Sequence, residues 1–322
     1  MFITGGTGFI GRNLIRLLLR KGYEVHVLVH SDKFSYIPPL EEVHLVPGDL
    51  LQPSQWSEKL DQIKPDIVVH MAALTPVRFS WENWQRYMEV NYFGTVNLMN
   101  VLKQIKPVPQ AIIYSTPEVL ASRSRQNAHV TVREGARTYP GTPYAISKLA
   151  AEAYVMSQPW VTCIVVRPAN TYDRSVLSNI DEAREYFVEK TIIGFLTSKT
   201  INFDGPPDRY RSWMHVSDHV LAIELLMSSA MKTTITRNVL YHISPPVPSA
   251  NASCLEIVKT VAKIVGRDDV TVTWNNNPRP YDPLSIAING TKFMRQFPEW
   301  RPLSLYSGLE LAVRNWKRVL NA

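Results

Sequence analysis

Cysteine is scarce in this chain of 322 residues, which contains only Cys163 and Cys254. Two distant cysteines suggest neither a disulfide framework nor a cysteine-based zinc site, and they are typical of a reducing compartment. We therefore expect a cytoplasmic protein without a metal centre. Cys163 stands in the apolar run VTCIVV and is predicted to be a small core residue.

Long apolar runs and long basic runs are also absent. No segment approaches the roughly 18 apolar residues of a membrane-spanning helix, and the chain begins on a strand-like stretch rather than a signal peptide. No Lys/Arg run is long enough for a nucleic-acid-binding tail, although the formal net charge is +7. We expect neither membrane insertion nor nucleic-acid binding. The excess positive charge is either a solvated surface or, in part, the lining of a site for a phosphorylated ligand.

The first half of the chain alternates short apolar runs with amphipathic segments. Strands are predicted at MFIT, YEVHVLV, VHLVPGDL, DIVVHMA, AIIYST and VTCIVVRP. Helical spacing lies between them, as over residues 56–63, 81–105 and 144–157. Strands that alternate with helices predict an α/β fold, here a Rossmann-type doubly wound parallel sheet with both faces covered.

The regular alternation weakens after Arg167. We predict a dinucleotide-binding domain over residues 1–170, with a return segment near 200–231. A smaller C-terminal α/β lobe over 171–322 is expected to bind the substrate. Within this lobe we predict a helix from Cys254 to Val265, with Ser253 as its N-cap.

A glycine turn, TGGTGFIG, occupies residues 4–11. Gly6, Gly8 and Gly11 fit the pattern G-x-G-x-x-G, after a predicted strand and before a predicted helix. Glycines at these positions allow a tight turn and close approach to a pyrophosphate, which the N–H groups of the helix start then bind. The turn predicts dinucleotide binding, and the alternative is a structural turn without a ligand.

The end of the second strand, VLVHSDKF, bears on the choice of cofactor. An acid at the tip would bind the ribose 2′-OH of NAD. His30 and Ser31 occupy the tip instead, Lys33 follows, and Asp32 comes late. This pattern favours NADP and leaves NAD possible. Asp49, in the segment GDL, is either an adenine contact or the start of an Asx turn.

Tyr144 and Lys148 form a Tyr-x-x-x-Lys pattern in the segment PYAISK. Residues four apart share a helix face, so the ammonium group is expected to lower the pKa of the phenol. Such a tyrosine can exchange a proton with a carbonyl or an alcohol, and the hydroxyl of Thr116 could hold the same oxygen. The alternative is an ordinary pair on a helix surface.

Several short motifs in register give a specific resemblance. TGGTGFIG, GDL, HMAA, NYFGTVNLM, YSTPEV, YAISK and RPANTY occur in this order. The set resembles the extended short-chain dehydrogenase/reductases, in the branch of nucleotide-sugar epimerases and dehydratases, from Met1 to the helix around Trp316. The resemblance implies hydride transfer at C4 of a nucleoside-diphosphate sugar. It also implies a catalytic set, which is Thr116, Tyr144, Lys148 and Glu118.

The resemblance and the patterns above give two sets of binding residues. Those expected at the cofactor, besides Tyr144 and Lys148, are Gly5, Gly8, Phe9, Ile10, Gly11, His30, Ser31, Lys33, Asp49, Leu50, Ala72, Ala73, Asn91 and Pro168. Those expected at the substrate are Thr75, Thr116, Asn170, Arg211 and Arg279.

The stretch YSTPEV bears on the net reaction. In related 4,6-dehydratases the corresponding motif resembles Thr-Asp-Glu or Thr-Ser-Glu, whereas this chain has Thr116, Pro117 and Glu118. Because a proline side chain can neither donate nor accept a proton, we favour an NADPH-dependent reductase of a nucleotide-linked 4-keto-6-deoxy sugar. Glu118 keeps a dehydratase or an epimerase with retained cofactor as the alternative. A non-enzymatic cofactor-binding scaffold is the least favoured interpretation.

The helices predicted over 81–105 and 144–157 carry apolar residues beyond one core face. Family members commonly pair these two helices in a dimer. The resemblance therefore implies a homodimer with a four-helix interface.

Overall fold

A computed structural model of the protein describes residues 1–30, 42–120, 131–176, 180–232, 235–247, 250–275 and 285–321. Of the residues singled out above, Ser31, Asp32, Lys33 and Arg279 lie outside the described residues. The strands within these ranges are β1 (Phe2–Thr4), β2 (Val25–Val29), β3 (Val43–Pro47), β4 (Ile67–His70), β5 (Gln110–Tyr114), β6 (Thr131–Val132), β7 (Cys163–Pro168), β8 (Asn170–Tyr172), β9 (Thr200–Asp204), β10 (Tyr210–His215), β11 (Val239–Ile243), β12 (Asn251–Ser253), β13 (Thr271–Asn275) and β14 (Ser285–Ile288).

The α-helices are α1 (Phe9–Arg20), α2 (Ser57–Ile63), α3 (Trp84–Tyr87), α4 (Gly94–Leu102), α5 (Pro143–Met156), α6 (Ile180–Ala183), α7 (Phe187–Thr197), α8 (Val216–Met231), α9 (Cys254–Val265), α10 (Thr291–Gln296) and α11 (Leu305–Leu320). A π-helix, Met88–Phe93, joins α3 to α4. Among the residues that the structure describes, no helix is both long and apolar enough to cross a bilayer.

The first compact unit comprises Met1–Val119, Pro140–Pro168 and Val220–Tyr241. Its sheet has seven strands among the described residues, in the order β3-β2-β1-β4-β5-β7-β11. The five pairings from β3 to β7 are all parallel. This order winds outward in both directions from β1, so the predicted doubly wound Rossmann-type sheet is confirmed.

The central strands of this sheet are buried on both faces. Every residue of β1, β2 and β4 is buried, as expected for apolar runs in a parallel sheet covered by helices. Cys163, at the start of β7, is fully buried in the core, which confirms its predicted role.

Helix α5 owes its start to local sequence. The side chain of Thr142 caps the helix by accepting a hydrogen bond from the N–H of Ala145 at 3.1 Å, and Pro143 takes the first turn. A proline is tolerated there because the missing N–H would have no partner within the helix. Residue 144 is therefore fixed within the first turn of the helix.

The second compact unit comprises Leu120–Tyr139, Ala169–His219 and His242–Ala322. It contains a sheet in the order β12-β10-β14-β6, with β8 also paired to β10, and the separate pair β9-β13. Helix α9 runs from Cys254 to Val265 as predicted. Ser253 caps it, and Glu256 bonds back to the N–H of Ser253 to complete a capping box.

Candidate active site

The glycine turn packs so closely on itself and on the end of β4 that side chains are excluded. A Cβ built on Gly5, whose φ is +73°, would lie 2.6 Å from the N of Ala72, and one on Gly11 would lie 2.4 Å from the carbonyl oxygen of Gly5. Helix α1 begins at Phe9 with no acidic residue in its first turn, so its N-terminus keeps its partial positive charge. The turn therefore fits the pyrophosphate of a dinucleotide. The residues of this cradle are Gly5, Gly8, Phe9, Ile10 and Gly11.

Three of the predicted catalytic residues are brought together in the first unit. Thr116 follows the C-terminal end of β5, and Tyr144 and Lys148 lie four apart on α5. All three side chains are buried, and Thr116 and Tyr144 are hydrogen-bonded. The ring of Tyr87 meets that of Tyr144 edge-on, with centroids 6.3 Å apart. The phenol is therefore held at the carboxyl edge of the sheet, where α/β proteins bind ligands.

Burial controls the acidity of Tyr144. Desolvation raises the pKa of its phenol well above the ordinary value, the hydrogen bond from Thr116 lowers it, and the charge of Glu118 raises it again. The pKa of the phenol is raised overall because burial outweighs the hydrogen bond from Thr116, and the lowering expected from Lys148 stays a prediction. Tyr144 is thus a protonated donor at neutral pH.

Lys148 is itself perturbed. Burial lowers the pKa of its ammonium group to about 8, and the negative charge of Glu152 acts in the opposite direction. The lysine is therefore mostly charged at neutral pH and loses its charge as the pH rises through about 8. A cation in this buried site is expected to affect both the binding of the cofactor and the transfer of a proton.

The hydroxyl of Thr116 is held by the backbone that follows it. Pro117 begins a short 3-10 helix, Pro117–Leu120, and contributes no N–H. The N–H of Glu118 donates to Oγ1 of Thr116 at 3.2 Å. With its acceptor site engaged, the threonine hydroxyl can donate to the phenol oxygen of Tyr144. Glu118 is half-buried, and its charge reaches Tyr144, so it is not a carboxylate directed only at solvent.

A chain of buried hydrogen bonds links the glycine-turn strand to the π-helix through His70. Thr4 Oγ1 lies 2.7 Å from His70 Nδ1, and His70 Nε2 lies 2.9 Å from Thr95 Oγ1. Because Thr95 donates to the carbonyl of Asn91 at 2.7 Å, Nε2 must carry the histidine proton and Nδ1 must accept from Thr4. Burial lowers the pKa of His70 to about 3, assisted by the charge of Lys148. The imidazole is therefore neutral and of defined tautomer.

Asn91 joins the β4 loop to the catalytic helix. Its Oδ1 accepts from the N–H of Leu74 at 2.8 Å, and its Nδ2 donates to Leu74 O at 3.1 Å and to Ser147 Oγ at 3.0 Å. Ser147 donates in turn to the carbonyl of Tyr144 at 2.8 Å. These bonds tie the amide of Asn91 to the β4 loop and to the first turn of α5, and its expected role at the cofactor stays a prediction.

A buried ion pair lies one turn beyond Lys148. The carboxylate of Glu152 is paired with Arg167, whose Nε donates to Oε2 at 3.0 Å and whose Nη2 contacts Oε1. Ser115 donates to the same Oε2 at 2.6 Å. Since Ser115 precedes Thr116, this carboxylate connects α5 to the ends of β5 and β7 below the catalytic residues.

The expected adenosine-side residues lie at the ends of β2, β3 and β4. The ring of His30 is exposed and lies 3.3 Å from Asp49 Oδ2. Asp49 Oδ1 accepts from the N–H of Leu51 at 2.9 Å, which is the Asx turn considered above. Leu50 packs in the hydrophobic core. After β4 come Ala72 and Ala73, which are expected at the cofactor and are both half-buried, and Thr75, which is expected at the substrate and is exposed.

Two expected substrate residues belong to the second unit. Asn170, on β8, is exposed, and its Nδ2 donates to the carbonyl of Ser212 at 3.3 Å. Arg211, on β10, is buried and donates to the carbonyl of Tyr210 at 2.9 Å. Pro168 ends β7 in the first unit and is half-buried. The roles expected of these residues stay predictions.

Sequence reasoning missed the residues that support the catalytic set. They are Thr4, His70, Thr95, Ser115, Ser147, Glu152 and Arg167. Glu152 could have been found, because it continues the four-residue spacing of Tyr144 and Lys148 along one helix face. The two hydrogen bonds of His70 join residues that are 25 and 66 positions apart in the sequence. No local sequence pattern predicts such contacts.

The fold and these residues define a class of protein: a dinucleotide-binding oxidoreductase with a tyrosine–lysine pair. The sequence model of the NAD dependent epimerase/dehydratase family matches residues 1–239. The chain therefore belongs to this family, and the resemblance stated above is confirmed. It is an enzyme of the NAD-dependent epimerase/dehydratase type.

The relatives of this chain include both an epimerase and a dehydratase. The chain is 29% identical over 252 residues to UDP-glucose 4-epimerase of Mycoplasma pneumoniae, covering 71% of this chain and 72% of that protein. It is 26% identical over 280 residues to dTDP-glucose 4,6-dehydratase of Mycolicibacterium smegmatis, covering 83% and 78%.

A solved structure supports the fold. UDP-glucuronic acid 4-epimerase from Bacillus cereus, in complex with UDP-glucuronic acid and NAD, superposes with a TM-score of 0.83 at 24% identity over 99% of both chains. The two curated relatives are an epimerase and a dehydratase, and the matching family model is that of NAD-dependent enzymes. The preference for a reductase and for NADP therefore has no support, whereas the alternative has.

Proposed function

We propose that the protein is an NAD-dependent 4-epimerase of a nucleoside-diphosphate hexose that keeps its cofactor bound through the cycle. The observation that carries this proposal is the assembled set Thr116, Tyr144 and Lys148 next to Pro117. This set can move the proton of a C4 hydroxyl while a bound nicotinamide exchanges the hydride. Position 117 is a proline, so it lacks the polar side chain that elimination of water would use.

Bound NAD would supply a hydride acceptor and donor for C4. The chain's own residues handle the oxygen and its proton. Tyr144 must be a phenolate to take the proton of the C4 hydroxyl as hydride leaves C4, and as a phenol it returns that proton to the oxygen of the C4 ketone in the second half of the cycle. Thr116 holds the same oxygen from β5, and Lys148 supplies a positive charge that stabilises negative charge on the phenol or on the substrate oxygen.

Epimerisation at C4 requires no further acid or base. The ketone must turn so that the hydride returns to its other face, and no bond at C5 or C6 changes. Elimination of water would need a base for the C5 proton and an acid for the C6 hydroxyl. Pro117 can serve as neither, so the described residues suit the first reaction better.

Glu118 favours one other candidate, a nucleotide-sugar 4,6-dehydratase. Its carboxylate affects the phenol of Tyr144 electrostatically, so it stands near the reacting groups and could remove a C5 proton. This reaction would require the C6 hydroxyl to leave without help from residue 117. We therefore rank it second.

NAD is the proposed cofactor. The family is NAD-dependent, and the argument for NADP rested on His30, Ser31 and Lys33. Of these three, only His30 lies within the described residues, and there it is near the carboxylate of Asp49. A carboxylate beside the strand tip would oppose the 2′-phosphate of NADP.

A homodimer through the π-helix and α5 is part of this proposal. Phe93 on the π-helix and Ile146 on α5 are about half exposed, at 53% and 48%. Large apolar side chains exposed on two adjacent helices are typical of an interface. Changing both to glutamate should produce a monomer in light scattering, whereas a wild-type monomer would contradict the proposal.

The test of the proposed activity uses purified protein with UDP-glucose, dTDP-glucose and UDP-glucuronic acid in turn. Reversible formation of the C4 epimer of at least one, without net reduction of added NAD, supports the proposal. Accumulation of a 4-keto-6-deoxy product supports the dehydratase instead. Stoichiometric NADPH oxidation by a 4-keto-6-deoxy sugar, with no epimerisation, would restore the reductase.

A further inference from the structure

Two histidines and a glutamate meet at the edge of the first unit's sheet that is opposite the glycine turn. His26 is the second residue of β2 and His44 the second residue of β3, and they are direct partners in the parallel register. Glu24 immediately precedes β2. Their position at the N-terminal ends of the strands separates them from the catalytic residues, which lie at the C-terminal ends.

The three side chains converge on a common point. His26 Nε2 lies 2.8 Å and His44 Nε2 lies 4.0 Å from Glu24 Oε1. The imidazole rings stack with centroids 4.7 Å apart and an angle of 23° between their planes. One nitrogen from each histidine and one carboxylate oxygen all lie within 4.8 Å of one another.

These separations suit a small divalent cation. For bonds of about 2.0–2.1 Å, ligand atoms at the corners of a tetrahedron are roughly 3.4 Å apart, and the two measured distances to Glu24 fall on either side of this value. The side chain of His26 is fixed, with 11% exposed, whereas those of His44 and Glu24 are 61% and 69% exposed. Two side chains at the surface can therefore adjust around one fixed ligand.

The donor types also suit a metal. Two imidazole nitrogens and one carboxylate oxygen form a set typical of zinc, and of copper and nickel, rather than of magnesium or calcium.

We propose that Glu24, His26 and His44 form a binding site for a divalent transition cation of the zinc class, with water completing the coordination. The bound ion joins β2 to β3, which is the edge strand of the sheet in the described residues. The same two strands lead to His30 and Asp49 at their other ends, so the ion also holds the register of the strands that lead to the adenosine side. This site is independent of the proposed activity.

The experiment titrates the full, tag-free protein with zinc chloride by isothermal calorimetry, and with magnesium chloride as a hard-cation control. The expected result is one zinc per chain, no heat of binding from magnesium, and an increase in melting temperature with zinc. Loss of a ligand in His44→Ala or Glu24→Gln should weaken zinc binding by at least about tenfold. His30→Ala is the matched control, because it removes an exposed histidine from the other end of β2 and should leave the titration unchanged.

Two results would overturn the proposal. One is a wild-type titration without saturable zinc binding. The other is zinc binding of equal affinity in wild type, His44→Ala and Glu24→Gln, which would place the ion elsewhere. Because both changed residues are exposed, circular dichroism should show an intact fold in either variant. A folded His44→Ala protein that retains one tight zinc therefore counts against the site.

Discussion

Glu152→Gln is the substitution that tests the electrostatics of the catalytic helix most sharply. The glutamine keeps the shape of the side chain and removes its charge. Arg167 is then left buried without its anionic partner, and Lys148 loses the one charge that raises its pKa. Removing one member of a buried pair costs about 3–5 kcal/mol of folding free energy, so we expect a folded but destabilised protein.

The effect on Lys148 is calculated from helix geometry. Side chains four residues apart are about 5–6 Å apart at Cβ, and two charges at that distance interact by roughly 3 kcal/mol at an effective dielectric constant of about 20. This energy corresponds to about two pH units as an upper limit. The charge of Arg167 is unchanged in this variant and does not reduce the effect, so we expect the pKa of Lys148 to fall by about one to two units.

The pKa of Lys148 is expected to fall when Glu152 loses its charge. Lys148 is charged below its pKa of about 8 and neutral above it. Without Glu152 the pKa falls, and the charge is lost at lower pH. In a profile of kcat/KM against pH, the alkaline limb of Glu152→Gln should therefore move to lower pH, while the activity at acidic pH stays close to that of wild type.

Two further variants separate charge from structure. Glu152→Asp retains the charge and should restore the alkaline limb. The double variant Glu152→Gln/Arg167→Met also removes the buried cation that has lost Glu152, so it should recover stability and place the alkaline limb between those of Glu152→Gln and wild type. If Glu152→Gln folds and shows the wild-type alkaline limb, the account of how Lys148 is held charged is refuted.

The remaining predictions concern the proton donor, the cradle and the histidine chain. Tyr144→Phe should lower kcat by about 10²–10⁴-fold and leave binding of NAD intact, as fluorescence titration would show; near-normal turnover would contradict its role. Gly11→Ala should abolish NAD binding, because its Cβ would lie 2.4 Å from the carbonyl oxygen of Gly5; unchanged affinity would exclude the cradle. His70→Phe removes one of the hydrogen-bond partners of each of two buried threonine hydroxyls and should lower the free energy of unfolding in urea by about 1–3 kcal/mol; an unchanged midpoint would mean that the hydrogen bonds of His70 contribute no stability.

The Rossmann-type fold could be predicted because its signals are local. Runs of valine and isoleucine mark the buried parallel strands, and the glycine turn marks the first crossover. Thr142 and Pro143 fix the start of the catalytic helix in the same local way. The Tyr-x-x-x-Lys spacing then places both catalytic side chains on one face without any knowledge of the tertiary structure.

The protonation behaviour of the site could not be predicted in this way. The pKa of Tyr144 depends on how completely the fold buries it, and burial reverses the direction expected from its lysine neighbour. Glu152 and Arg167 are 15 residues apart and meet only because α5 packs beside β7. Their pairing is a tertiary contact and leaves no periodic signal.

The side chain of Pro117 is compatible with more than one reaction. Its lack of a proton-transferring group suggested a reductase, but the same lack also suits an epimerase. The relatives include both an epimerase and a dehydratase. In the structure, the N–H of Glu118 donates to the hydroxyl of Thr116.

Deuterium labelling in heavy water tests the central claim most directly. A nucleoside-diphosphate hexose that is a substrate is incubated with the protein in D₂O, and the products are followed by proton NMR. The account predicts interconversion of the C4 epimers with no deuterium at C5, because no C5 proton is removed. A 4-keto-6-deoxy product carrying solvent deuterium at C5 would contradict it and would support the dehydratase, for which Glu118 is the candidate base.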